Sequence, residues 1–103
     1  MHRIHADGLR QYRLALAREA RRFKRYPEQA LQAGIGGTAE VRVELEGGAL
    51  PVTRLARSSG HEALDAAALD MMRRAAPRTT VPELLRGQTF AVSLPVVFDL
   101  EGD

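Results

Sequence analysis

Residues Gln88–Leu100 read QTFAVSLPVVFDL. Phe90, Val92, Leu94, Val96, Phe98 and Leu100 alternate with Ala91, Ser93, Pro95, Val97 and Asp99. One face is continuously apolar and the other small and mostly uncharged, which is the period of a half-buried strand. No charged residue falls between Gln88 and Phe98, whereas border strands are ordinarily protected from stray pairing by charge, proline or a bulge. Pro95 is the one such residue here. Placed at a sheet edge, this strand offers a second polypeptide a row of main-chain donors and acceptors.

The chain around it has 103 residues, enough for one domain with a single core. An apolar content of 45% with 27% charged residues fits a soluble globule, and the scarcity of aromatics leaves Leu, Val and Ala to fill the core. No cysteine is present, so disulfides, thiolate nucleophiles and Cys-ligated zinc are excluded. No apolar run reaches the ~20 residues of a membrane helix, and Arg3, Asp7 and Arg10 occupy the place of a signal peptide's apolar segment. A role outside the cytoplasm therefore implies a domain cut from a longer protein. Charge is uneven. Residues 1–25 hold eight Arg and Lys against Asp7 and Glu19, a surplus of six, and the remainder holds seven against eleven acids, a deficit of four.

Leu9, Tyr12, Leu16, Ala20 and Phe23 recur at steps of three and four, an apolar stripe on a basic helix with Asp7 as its expected N-cap. Residues 1–8 are expected to be disordered or frayed and residues 9–103 to form one domain. Pro27 disfavours helix at Tyr26 and suits the first position of a short helix ending before Gly34. Tyr26 thus marks a corner between two helices. After Gly34, Gly36 and Gly37, the residues Ala39, Val41, Val43 and Leu45 alternate with Glu40, Arg42, Glu44 and Glu46, which reads as a strand with one buried and one wet face. Gly47-Gly48 closes a hairpin onto Leu50–Ser58, whose Pro51, Arg54 and Arg57 suit a border strand. Ser59 and Glu62 have capping-box spacing and open a helix that buries Leu64, Ala68, Met71 and Ala75 and ends at Pro77.

These elements specify an α+β fold: a three-stranded antiparallel sheet in the order second–first–last, with helices packed on one face. A right-handed crossover makes the second and last strands parallel, so placing the last strand beside the first leaves every neighbouring pair antiparallel. The rival order sets the last strand beside the second. In the preferred order Pro95, which has no N–H, points its backbone outward with Ala91, Ser93 and Val97, while Val92, Leu94, Val96 and Phe98 pair with the first strand.

Tyr26-Pro27 with Ala30, the Gly34–Gly37 turn, Gly48, Ser58-Ser59-Gly60, Leu64-Asp65-Ala66-Ala67-Ala68-Leu69, Pro77 and Leu94-Pro95-Val96-Val97-Phe98 together resemble the C-terminal domain of TonB-family energy transducers. The resemblance spans roughly Leu9 to Leu100. It implies a periplasmic domain tethered by an inner-membrane helix and a linker. Such a domain grips the TonB box of outer-membrane receptors and transmits work from the ExbB-ExbD motor, for example in siderophore uptake. It also implies that the box adds to the last strand by β-augmentation. Carried over by position, the partner-binding residues are Tyr26, Pro27, Phe90, Ala91, Val92, Ser93, Leu94, Pro95 and Val97. Phe23, Lys24 and Arg25 depart from the polar residues that precede Tyr-Pro in enterobacterial members. TolA-like envelope domains share this architecture and stand as an alternative.

No catalytic residue, metal or cofactor is expected, and the chain reads as a binding module rather than an enzyme. Ser58-Ser59-Gly60 is better explained by capping than by nucleophilic chemistry. The three histidines, His2, His5 and His61, include a spaced pair near the N-terminus, and a metal site there would need a third ligand that is not evident. Glu44/Glu46 and Asp65/Asp70 suit solvated surfaces, and the glycines at 34–37 lie in helix-to-strand order, the reverse of a phosphate loop. Arg10, Arg13, Arg18, Arg21, Arg22, Lys24 and Arg25 offer the other reading, a basic helix contacting nucleic acid or anionic lipid. The open strand also allows pairing between two copies of the chain, a homodimer.

Overall fold

The computed structural model describes residues 2–102, with side chains from residue 6 onward. The order is α1 (His2–Ala20), α2 (Glu28–Gln32), β1 (Gly37–Leu45), β2 (Val52–Arg57), α3 (Glu62–Ala75) and β3 (Phe90–Phe98), with single 3-10 turns at Arg21–Phe23, Ala76–Arg78 and Glu83–Leu85. The sheet order is β2-β1-β3 with both pairings antiparallel, so the expected topology holds and the rival order does not. α3 lies over β1 and β2, and α1 packs beside α3 towards β3.

The core forms where the three apolar patterns meet. Tyr12, Leu16 and Ala20 from α1, Leu64, Ala68, Met71, Met72 and Ala75 from α3, and the even-numbered residues Val92–Phe98 of β3 close over Ala39, Val41, Val43 and Leu45 of β1. Leu85 joins them from a connector whose sequence has no periodicity. On the opposite face, Glu44 sits between Arg42 at 2.8 Å and Arg54 at 3.2 Å. The hydrogen bonds from Arg42 and Arg54 hold its carboxyl below the usual range.

The elements match the sequence signals in type and differ from them in position. α1 is helical from His2, and Met1 lies outside the described residues. Asp7 is not its N-cap: it sits inside the second turn, 4.0 Å from Arg10 one turn on. Pro27 is the N-cap of α2 rather than its first residue. α2 ends as expected at Gly34, whose φ of +67° permits paired bonds from Gly34 N–H to Leu31 and from Ile35 N–H to Ala30.

The capping box does not form. His61 is the N-cap of α3, and Ser59 turns its N–H (2.8 Å) and hydroxyl (2.7 Å) to Asp65, which also accepts from the Ser58 hydroxyl. Burial pushes the Asp65 carboxyl up, but these three bonds outweigh it and hold the group below its usual range. A depressed folded pKa contributes stability that is present above the unfolded value and lost as pH falls through the folded one. Asp65→Asn is therefore expected to cost about 1 kcal/mol at neutral pH and to flatten the loss of stability below about pH 4. Urea denaturation across pH checks this, and an unchanged acid limb would contradict it.

Candidate functional site

The sheet has two borders, and their chemistry differs. β2 is short, follows Pro51 and carries Arg54 and Arg57. Its register slips between Glu40↔Arg57 and Val41↔Leu55, leaving Ala56 as a bulge. All of these obstruct pairing with a further strand. β3 runs nine residues without a register shift against β1, and among the described residues no strand lies beyond it.

Pairing fixes which backbone groups of β3 face outward. Pro95 lies opposite Glu40, and since proline cannot donate, this must be a non-hydrogen-bonded pair. Its neighbours Leu94 (opposite Val41) and Val96 (opposite Ala39) then carry the bonds to β1. The outward set is Ala91, Ser93, Pro95 and Val97, as the sequence indicated. Their side chains lie on the wet face, where Pro95 and Val97 are exposed and Ala91 and Ser93 half-buried.

Of the residues singled out from sequence, Val92 and Leu94 are core residues with their backbones turned to β1, and Phe90 packs edge-on against Tyr12 at 5.2 Å. Tyr12 is buried without a hydrogen-bond partner for its hydroxyl among the described residues, and burial pushes it up to about 12. Tyr26 and Pro27 stand at the other end of β3. The Tyr26 ring meets Phe98 edge-on at 5.4 Å and its hydroxyl donates to the Ile35 carbonyl. Gly36 admits this packing, because a Cβ there would stand 2.8 Å from the Phe98 carbonyl oxygen. Phe90 and the Tyr26-Pro27 corner therefore stand at opposite ends of β3, roughly 27 Å apart along the strand, with the outward residues between them.

A groove lies at each end of this border. One of about 580 Å³ opens across the wet face at Ala91 and is bounded by Arg42, Glu44, Leu50, Val52 and Arg54. Another of about 450 Å³ is bounded by Arg21, Lys24, Tyr26, Leu31, Asp99 and Leu100. Leu31, Val97 and Leu100 are each about half exposed near this second groove, an apolar cluster with Arg21, Lys24 and Asp99 around it.

Two of the cations grouped in the basic helix by sequence reach the last strand. Arg13 of α1 donates to the Ser93 carbonyl, and Lys24 donates to the Val97 carbonyl, with its ammonium also 5.5 Å from the Phe98 ring centre. Both acceptors belong to the outward set. No spacing marks them as a pair, because α1 ends at Ala20 and Lys24 lies beyond the Arg21–Phe23 turn in an extended conformation.

Residues 23–100 match the family model described as Gram-negative bacterial TonB protein C-terminal. This chain belongs to the TonB C-terminal domain family. It is 40% identical over 88 residues to the TonB protein of Pseudomonas putida, covering 82% of this chain and 35% of that protein. It is 37% identical over 93 residues to the TonB protein of Pasteurella multocida, covering 89% of this chain and 35% of that one. The chain therefore spans about a third of the curated TonB relatives it matches. The solution structure of the Helicobacter pylori TonB C-terminal domain shares the fold, with a TM-score of 0.78 over 90% of this chain and 84% of that one at 21% identity. A shorter span of the same Helicobacter domain gives a TM-score of 0.68. Tyr26, Pro27 and β3 all fall inside the matched residues. No helix among the described residues is long and apolar enough to cross a membrane.

Proposed function

We propose that this TonB-family domain is the periplasmic, receptor-gripping end of an energy transducer, and that it captures the TonB box of an outer-membrane receptor by adding that segment to β3. The observation that carries the reading is the contrast between borders: β2 is guarded by a bulge, Pro51 and two arginines, and β3 presents an unbroken register. A visiting strand gains main-chain bonds from Ala91, Ser93 and Val97 and acceptor bonds along the whole outward set. Tyr26 and Pro27 shape the far end of the path. Main-chain pairing supplies affinity and little discrimination, so receptor choice falls to the flanking grooves. In this reading an inner-membrane anchor, a linker and the contact with ExbB-ExbD belong to other parts of the transducer. The chemistry is binding rather than catalysis.

The test is titration of the isotope-labelled domain with a synthetic TonB-box peptide, followed by amide hydrogen exchange. The Ala91, Ser93 and Val97 amides should become slow to exchange while those of β2 stay unchanged. Protection confined to β2 or to α1 would overturn the assignment.

A further inference from the structure

Strand capture leaves the outer face of α1 without a role, and that face is ordered. Tyr12, Leu16 and Ala20 are buried, so the side of the helix opposite them is its solvent side. Arg10, Leu14 and Arg18 follow one another there at steps of four, and Arg21 continues the line just past the helix end. All four are exposed, Leu14 by 63%. A leucine is thus held up between two arginines, one turn from each. We propose that this face of α1 rests on an anionic phospholipid surface, with the arginines on lipid phosphates and Leu14 at the boundary beneath the headgroups. The inference is independent of where a receptor segment docks.

Charge complementarity argues for this partner. Residues 6–25 carry seven Arg and Lys against Asp7 and Glu19. Glu19 is taken by Arg22 at 2.9 Å, and Asp7 stands at the far end of the face, 4.0 Å from Arg10. Arg18 and Arg21 form no ion pair among the described residues. Cations held near an anionic bilayer each add to its attraction, and the long stem of arginine keeps the guanidinium at phosphate depth while a neighbouring leucine goes deeper. Nucleic acid offers the same phosphates, but Leu14 gains nothing from them. The rings of this segment are committed elsewhere: Tyr12 is buried, Phe23 faces the Arg22 and Arg78 guanidiniums, and Tyr26 leans on Phe98. A base therefore finds no platform to stack on. Arg13, on the flank towards β3, is bonded to the Ser93 carbonyl, so the two sides of α1 are distinct and a domain lying on lipid through the outer one keeps β3 clear.

Vesicle sedimentation reads the contact, with vesicles of phosphatidylcholine alone and of phosphatidylcholine mixed with phosphatidylglycerol. Wild type should bind the mixed vesicles, leave them as salt rises and ignore the neutral ones. Arg10→Gln/Arg18→Gln should bind roughly tenfold more weakly. Arg54→Gln/Arg57→Gln removes the same formal charge from the opposite face of the sheet and should change binding less than about twofold, because charges so far from the lipid are screened. Leu14→Gln should weaken binding roughly threefold and keep the salt dependence of wild type. All five substituted side chains are exposed, and circular dichroism verifies that each variant is folded. Equal losses from the two arginine pairs would reduce the contact to net charge and overturn the assignment to α1, as would equal sedimentation with neutral vesicles. Retention of a DNA duplex that Arg10→Gln/Arg18→Gln abolishes, without vesicle binding, would overturn lipid in favour of nucleic acid.

Discussion

Leu94→Pro should unfold much of the domain, whereas Ser93→Pro, one residue away, should leave it folded and deaf to its partner. Leu94 is buried and pairs with Val41 in the β1 ladder. Proline there deletes a ladder bond, orphans a buried carbonyl and shrinks a core side chain, together more than about 3 kcal/mol. Against a typical total of about 5–15 kcal/mol, that is a large share, and at about 4–8 °C per kcal/mol the melting temperature should fall by roughly 12 °C or more. Ser93 faces out, beside a proline already tolerated at 95. Ser93→Pro is expected to cost less than about 1 kcal/mol and to remove a donor that a visiting strand requires. Urea denaturation compares the stabilities, and peptide titration of the folded variant reads the second effect. Comparable destabilisation by both substitutions would refute the outward assignment of odd residues.

The second large effect is expected at Phe98. It is 2% exposed, the Tyr26 ring leans on it at 78°, and the Lys24 ammonium lies over its ring. Phe98→Ala should cost about 3–5 kcal/mol, and Phe98→Leu markedly less, because leucine refills most of the volume. Losing the ring also frees Tyr26, so even the milder variant should shift Tyr26 ring resonances and weaken peptide binding at the Val97 end. Thermal unfolding and aromatic spectra distinguish the two substitutions. If Phe98→Ala cost no more than a surface change, the Tyr26 corner would not be anchored as described.

Much of this architecture is written in periodicity. The alternation in Ala39–Glu46 and Phe90–Phe98 and the three-four spacing in α1 and α3 each correspond to a buried face, and one proline sets the parity of the last strand. What escaped was decided by contacts that short-range pattern does not encode. Ser59 and Glu62 have the spacing of a capping box, yet Asp65 outcompetes for the serine donors once Gly60 adopts a φ of +90°. Leu85 lies in a proline- and glycine-bounded connector, where nothing in its neighbours marks it as core. Arg13 and Lys24 read as two among many solvated cations, and only the partnership of α1 with β3 singles them out. Val92 and Leu94 lie in the same strand as the outward residues, yet their side chains are core and their backbones turn to β1.

The bulge at Ala56 has a consequence for assembly. A sheet that is closed to extension on one side and receptive on the other has no way to propagate: two such domains meeting along β3 would use up both receptive sides at once, and a third would find nowhere to join. Edge-to-edge association through this sheet therefore stops at two and does not propagate into a fibre.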